Sequence, residues 1–147
     1  MQRLYKYFLI LLIAATKLYG QEDEITLYDY EGRAVSYIAV DDDLTIYTWD
    51  GEPVAYLTPR GDDFHIYGFN GNHLGWFQNG VIRDHNGDAV GFVEGAINML
   101  TELESLKSLK SLKPLKALRE LAPLKPVNTL QWSRLPLSVF LRLGIDD

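Results

Sequence analysis

The chain of 147 residues contains no cysteine. That excludes disulfides, thiol nucleophiles, zinc–thiolate sites, covalent haem attachment and a lipidated cysteine behind an export signal. Small extracytoplasmic domains often depend on disulfides, so this chain must hold together by its core or a metal. Basic side chains are scarce in the first two thirds. Residues 21–96 hold 15 acidic and 3 basic side chains, a net of −12, whereas residues 97–147 hold 5 acidic and 8 basic, a net of +3. An acidic body of this kind speaks against nucleic-acid binding, which needs Lys and Arg for the phosphates. The asymmetry invites the basic tail to pack on the acidic part. There is no G-x-S-x-G elbow, no H-E-x-x-H pair and no glycine loop opening a helix, so nucleophilic, zincin and phosphate-loop chemistry have no anchor here. No cofactor is expected.

What the chain has instead is one phrase written four times: LYDYEGRAVSYI (Leu27–Ile38), IYTWDGEPVAYL (Ile46–Leu57), IYGFNGNHLGWF (Ile66–Phe77) and IRDHNGDAVGFV (Ile82–Val93). Each copy turns on a glycine, Gly32, Gly51, Gly71 or Gly87, preceded by Glu31, Asp50, Asn70 or Asn86. Asp-Gly and Asn-Gly are the preferred pairs of two-residue type I′ hairpin turns, because both central positions need positive φ. The flanks are rich in Val, Ile, Tyr, Phe and Trp, as strands prefer. Four β-hairpins are therefore expected. A type I′ tip at Asp50-Gly51 sets Trp49 opposite Glu52, Tyr47 opposite Val54 and Ile46 opposite Ala55. One face would then carry Tyr47, Trp49, Val54 and Tyr56, and in the third copy Tyr67, Phe69, Leu74 and Trp76. A small residue precedes the final apolar pair of each copy (Ser36, Ala55, Gly75, Gly91), which points to a crowded position near a shared axis. The glycines are separated by 19, 20 and 16 residues, too uneven for a strict solenoid and compatible with a closed, radial arrangement.

These four segments resemble the four-fold beta flower domain of bacterial proteins. The resemblance covers roughly Ile25 to Ala96. It implies a mainly β fold of four hairpin repeats in a closed pseudo-four-fold arrangement, and it brings no active residues with it.

The ends read differently. Arg3 and Lys6 precede an apolar stretch, Tyr7–Ala15, and small or polar residues follow up to Gly20. This is the pattern of a secretory signal peptide over residues 1–20, cleaved after Gly20, with an uncleaved anchor as the alternative. The apolar stretch is too short for an ordinary membrane span. Residues 21–96 form the repeat domain and 97–147 a C-terminal arm and docking tail. In the arm, Leu recurs at every third position from Leu100 to Leu124, with Lys or Arg in much of a second register. A period of three makes no stable stripe on an α-helix and suits polyproline II or 3₁₀ geometry, yet Leu and Lys favour α locally. The expectation is an α-helix over about Ile97–Leu112, broken near Pro114, then a helical or extended piece to Leu121. This arm would cover the repeat domain; a membrane-surface helix is the alternative. The apolar segment Leu130–Leu141 is expected to dock back on the domain.

Candidate sites are few. The position before each tip is filled by Tyr30, Trp49, Phe69 and His85, an aromatic slot that could hold a glycan if exposed and is otherwise core. The three histidines, His65, His73 and His85, read as structural. Asp29, Asp50, Asp84 and Asp88 could form a hydrolase carboxylate pair if two of them face one another. The aspartates of the connectors at 41–43 and 59–63 lack an EF-hand spacing and read as loop residues rather than calcium ligands. The reading is an exported, non-enzymatic structural or binding module, with a glycan or an envelope protein as partner. The alternatives are a carbohydrate-binding module using the repeat aromatics and a carboxylate-pair hydrolase.

Overall fold

A computed structural model describes residues 23–146. The expected leader at 1–20 and its cleavage point lie outside them. Eight short strands follow one another: β1 (Glu24–Tyr28), β2 (Ala34–Ala39), β3 (Thr45–Thr48), β4 (Pro53–Arg60), β5 (Asp63–Gly68), β6 (His73–Gln78), β7 (Val81–Arg83) and β8 (Ala89–Phe92). Each pairs antiparallel with the next, and β8 returns to β1, so the sheet closes as an up-and-down barrel. Closure rests on a single residue pair, Tyr28 opposite Phe92. The expected closed set of four hairpins is what forms.

The turns differ from expectation in an instructive way. At every tip the glycine N–H donates to the carbonyl three residues back, and that residue's own N–H donates to the carbonyl just after the glycine. In the second tip these bonds are Gly51 to Thr48, 2.9 Å, and Thr48 to Glu52, 2.8 Å. The loop is thus three residues long (Trp49-Asp50-Gly51), and only its glycine has positive φ, +85°. This is a type I turn closed by a glycine bulge, not the two-residue type I′ turn. Side chains cap it: Asp29 Oδ1 accepts from the N–H groups of Glu31 and Arg33, and Asp84 Oδ1 from those of Asn86 and Asp88. The two-residue turn with two positive φ values sits elsewhere, at Asn79-Gly80 (φ +52° and +78°), joining β6 to β7 at the opposite end of the barrel.

The bulge corrects the expected faces. Ile46 does oppose Ala55, but Tyr47 opposes Pro53. Val54 and Ala55 are consecutive yet both lie in the core, with Ile46. Leu74 likewise joins the core and leaves the face of Tyr67 and Trp76. The bore is filled by Leu27, Ile38, Ile46, Ile66, Phe77 and Ile82, all buried. After the arm, the helix α1 (Leu137–Arg142) plugs it. Leu137, Phe140 and Leu141 occupy one face by their i, i+3, i+4 spacing and merge with the barrel core. Of the segment Leu130–Leu141, Leu137, Phe140 and Leu141 enter the core, whereas Leu130 is fully exposed. The small residues now have a reason. A Cβ on Gly91 would sit 2.8 Å from the Leu137 side chain, and one on Gly75 would sit 3.2 Å from the Phe140 ring and 2.1 Å from the Arg83 carbonyl oxygen.

The arm is not helical. From residue 99 to 129 there is no helix, strand or turn. The physical reason is that the backbone N–H groups of Glu102, Ser108, Ser111, Ala117, Glu120 and Thr129 donate to the barrel and cannot serve an i−4 carbonyl, while Pro114, Pro123 and Pro126 have no N–H to give.

Candidate functional site

The arm is a strap around the tip end of the barrel. Glu102, Ser111, Glu120 and Thr129 donate their backbone N–H groups to the carbonyls of the four tip glycines, Gly32, Gly51, Gly71 and Gly87, at 2.8–3.0 Å. These donors are nine residues apart (102, 111, 120, 129), so nine arm residues span one hairpin. Ser108 and Ala117 add bonds to Trp49 and Phe69. Every donor lies in one of three registers. The prolines of the same register, Pro114, Pro123 and Pro126, stand where no such bond is made. The carbonyls of Leu100, Leu109, Leu118 and Val127 lie 2.0–2.2 Å from where a Cβ would stand on each tip glycine. Only glycine, at φ +78° to +89°, admits this approach.

The second register faces the barrel wall. Strands β1 to β6 present Tyr28, Tyr37, Tyr47, Tyr56, Tyr67 and Trp76 outward, and all are buried. Lysine stems cover them. Lys107 lies 4.7 Å from the Tyr37 ring centre and Lys116 lies 4.2 Å from that of Tyr56. Their ammonium groups continue to carboxylates: Lys107 and Lys110 both reach Glu24 at 2.9 Å, Lys113 reaches Asp42 and Lys116 reaches Asp43 at 2.7 Å. Asp42 also accepts from the Tyr47 hydroxyl. Burial pushes the Asp42 carboxyl up, but the Lys113 and Tyr47 hydrogen bonds outweigh it and hold the group low; Lys116 does the same for Asp43. The aspartates at 42 and 43 are thus anchor points for the strap.

The third register is the leucine row, and it points away from the protein. From Leu100 every third residue to Leu130 is apolar, and all eleven side chains are 87–104% exposed. Soluble monomers rarely leave a continuous apolar surface of this extent uncovered.

A family model of 4-fold beta flower proteins matches residues 25–141. The chain belongs to this family. The match runs beyond the barrel through the strap and into the plug, so all three are parts of the beta flower. No curated protein and no solved structure matches the chain.

The aromatic slot of the beta flower does not gather into one platform. Tyr30, Trp49, Phe69 and His85 each open a different tip loop. Tyr30 is 48% exposed. Trp49 is half-buried, edge-on to Tyr37, and its indole N–H donates to Ser105 Oγ at 3.0 Å. Phe69 is buried against Tyr56. His85 is exposed but stacked on His73. The carboxylates are also dispersed: Asp29 at the first tip, Asp50 at the second, Asp84 and Asp88 at the fourth. Asp29 binds Arg33 and Asp88 accepts from Thr129.

The histidines converge, although they occupy different places within their repeats. His65 Nδ1 lies 3.0 Å from His73 Nε2, and His73 Nδ1 lies 3.0 Å from His85 Nε2. A neutral imidazole has one donor and one acceptor nitrogen, so the three form a chain of two N–H···N bonds. His73 is 2% exposed, and its backbone N–H donates to Glu120 of the strap. Burial, followed by the neighbouring His65 and His85, pushes the His73 pKa down to about 4. Burial and then Arg60 lower that of His65. The pairing of β5 with β6 sets Tyr67 opposite His73 and His65 opposite Trp76, which makes the first two rings diagonal neighbours. That register was the signal from which the cluster could have been found. Among the described residues no group of His, Asp or Glu has the geometry of a metal site.

Proposed function

We propose that this beta flower is an exported, non-enzymatic module that works by contact, and that its contact surface is the leucine row of the strap. One observation carries the reading: eleven apolar side chains, spaced evenly and almost fully exposed, on a backbone fixed at every hairpin tip. Folding gains nothing from leaving them in water, so their use lies outside the folded chain. The barrel, plug and lysine anchors serve to hold the row rigid. Export is supported by the leader pattern of residues 1–20, and would be checked by finding Gln21 as the N-terminus of the secreted or periplasmic protein.

The test of the contact role is direct. Leu106, Leu112 and Leu115 replaced together by Ser should leave the thermal midpoint unchanged, since none of them packs on the barrel. Retention on a phenyl column and enhancement of an apolar dye should both fall sharply. Unchanged retention would remove the basis of the reading. Glycan recognition keeps one supporting observation, the exposed Tyr30. Titration with oligosaccharides, read by tryptophan emission in the wild type and in Tyr30→Ala, separates it from the contact role.

A further inference from the structure

The row has a fixed pitch, and pitch restricts what can mesh with it. The row repeats every three residues, and an extended chain of three residues per turn, at about 3.1 Å per residue, sets side chains of one row about 9 Å apart. That leaves between neighbours a gap of about one side chain's width. A second row of the same pitch can interdigitate without mismatch.

The flanks of the row allow close approach. Between the second and third hairpin tips, the register that carries the barrel bonds holds Ser111, Pro114 and Ala117, all short. The lysines that would repel a second copy are turned toward the barrel and bound to Glu24, Asp42 and Asp43. From Leu100 to Leu130 the outward register carries no charge. Two such rows can therefore meet without opposing like charges at the seam.

We propose that the occupant of the leucine row is the same row on a second copy of this chain, meshed leucine into leucine about Leu112. This rests on the contact role proposed above. A stable interface buries about 800 Å² on each partner, and the four leucines between two tips supply less. One seam is therefore weak. The nine-residue step recurs between tips one and two, two and three, and three and four, so the strap offers three such seams. Association should rise with concentration and continue past a dimer.

Sedimentation velocity of the purified protein over a wide concentration range tests this. The weight-average mass is expected to climb from that of one chain to more than twice that. The Leu103→Asp/Leu112→Asp/Leu121→Asp variant, with one charge in each of the three seams, should stay monomeric with an unchanged near-ultraviolet spectrum. Leu103→Asp/Leu106→Asp, on one seam alone, should lower the mass only in part. Because the chain lacks cysteine, Leu112→Cys gives an unambiguous reporter. It should form a disulfide-linked dimer, suppressed when Leu115→Asp is added. A wild type that stays monomeric throughout, with no cross-link through Leu112→Cys, overturns the proposal. If that protein still depends on its leucines for phenyl retention, or floats with neutral phosphatidylcholine vesicles, the contact role survives with another occupant. If it does neither, both fall.

Discussion

Acid should weaken the beta flower in a window set by its buried histidine. His73 sits between two other imidazoles, with Trp76 and Tyr67 edge-on to it, Glu120 at its backbone, and Arg60 close enough to depress its pKa. Its pKa is about 4 in the fold, against 6.5 for an unperturbed histidine. Above pH 6.5 neither state binds the proton and His73 contributes nothing to pH dependence. As pH falls below 6.5 the unfolded chain takes up a proton that the folded chain refuses. Stability therefore declines until about pH 4, where the folded state is protonated as well. At 1.36 kcal/mol per unit, the gap amounts to about 3 kcal/mol, a large share of the ~5–15 kcal/mol typical of a domain. The depressed His65 adds loss of the same sign. Asp42 and Asp43, held below 3.8, contribute stability that is present above 3.8 and lost only beneath it, so they leave this window clear. Urea unfolding from neutrality to pH 4 is the assay. The midpoint should fall by about 1–3 M for an m-value of ~1–3 kcal/mol/M. In His73→Phe, which keeps the ring contacts, most of that fall should vanish. The three rings are joined by hydrogen bonds, so the difference between the two proteins reports the cluster as a whole. Equal pH slopes in wild type and variant would refute the assignment of the loss to His73.

Other expectations follow from the strap and plug. Gly51 and Gly95 have nearly the same φ, +85° and +84°, but an added Cβ meets Leu109 at 2.0 Å in the first and nothing within 4 Å in the second. Gly95→Ala should cost only the left-handed strain, about 1 kcal/mol. Gly51→Ala should cost about 1–2 kcal/mol more by lifting the strap off its tip, with faster proteolysis after Lys107 and Lys110. Phe140→Ala empties part of the plug and should cost about 3–5 kcal/mol in chemical unfolding. Glu24→Gln leaves Lys107 and Lys110 without their shared carboxylate and should cost about 1 kcal/mol in low salt, shrinking as salt is added.

The glycine-centred repeats made four hairpins and a closed sheet readable, because a positive-φ glycine between β-branched and aromatic runs admits few other structures. The turn type was not readable. A glycine of positive φ closes both a type I′ turn and a bulged type I turn; caps from Asp29, Thr48 and Asp84 favour the second at three tips, while the third forms it with Gly68 in that place. That one-residue difference moved Val54 and Leu74 into the core. In the strap, the period of three was visible but local propensity argued for a helix. The deciding partners, carbonyls on Gly32, Gly51, Gly71 and Gly87, lie some seventy to forty residues away in the chain and leave no mark on the segment itself. His85 was visible as a deviation in an aromatic series. Its link to His73 and His65 depends on strand register, which the mistaken turn had obscured.

The nine-residue step makes the strap a measure of the barrel. Removing three residues from it would keep the leucines outward but bring the wrong carbonyls and donors to every later tip. Adding a petal to the flower would take a new hairpin in the first part of the gene and nine further codons in the second, together. Neither change alone yields a strap that fits. A single duplication therefore cannot enlarge this barrel, and four is the number at which its two halves hold one another.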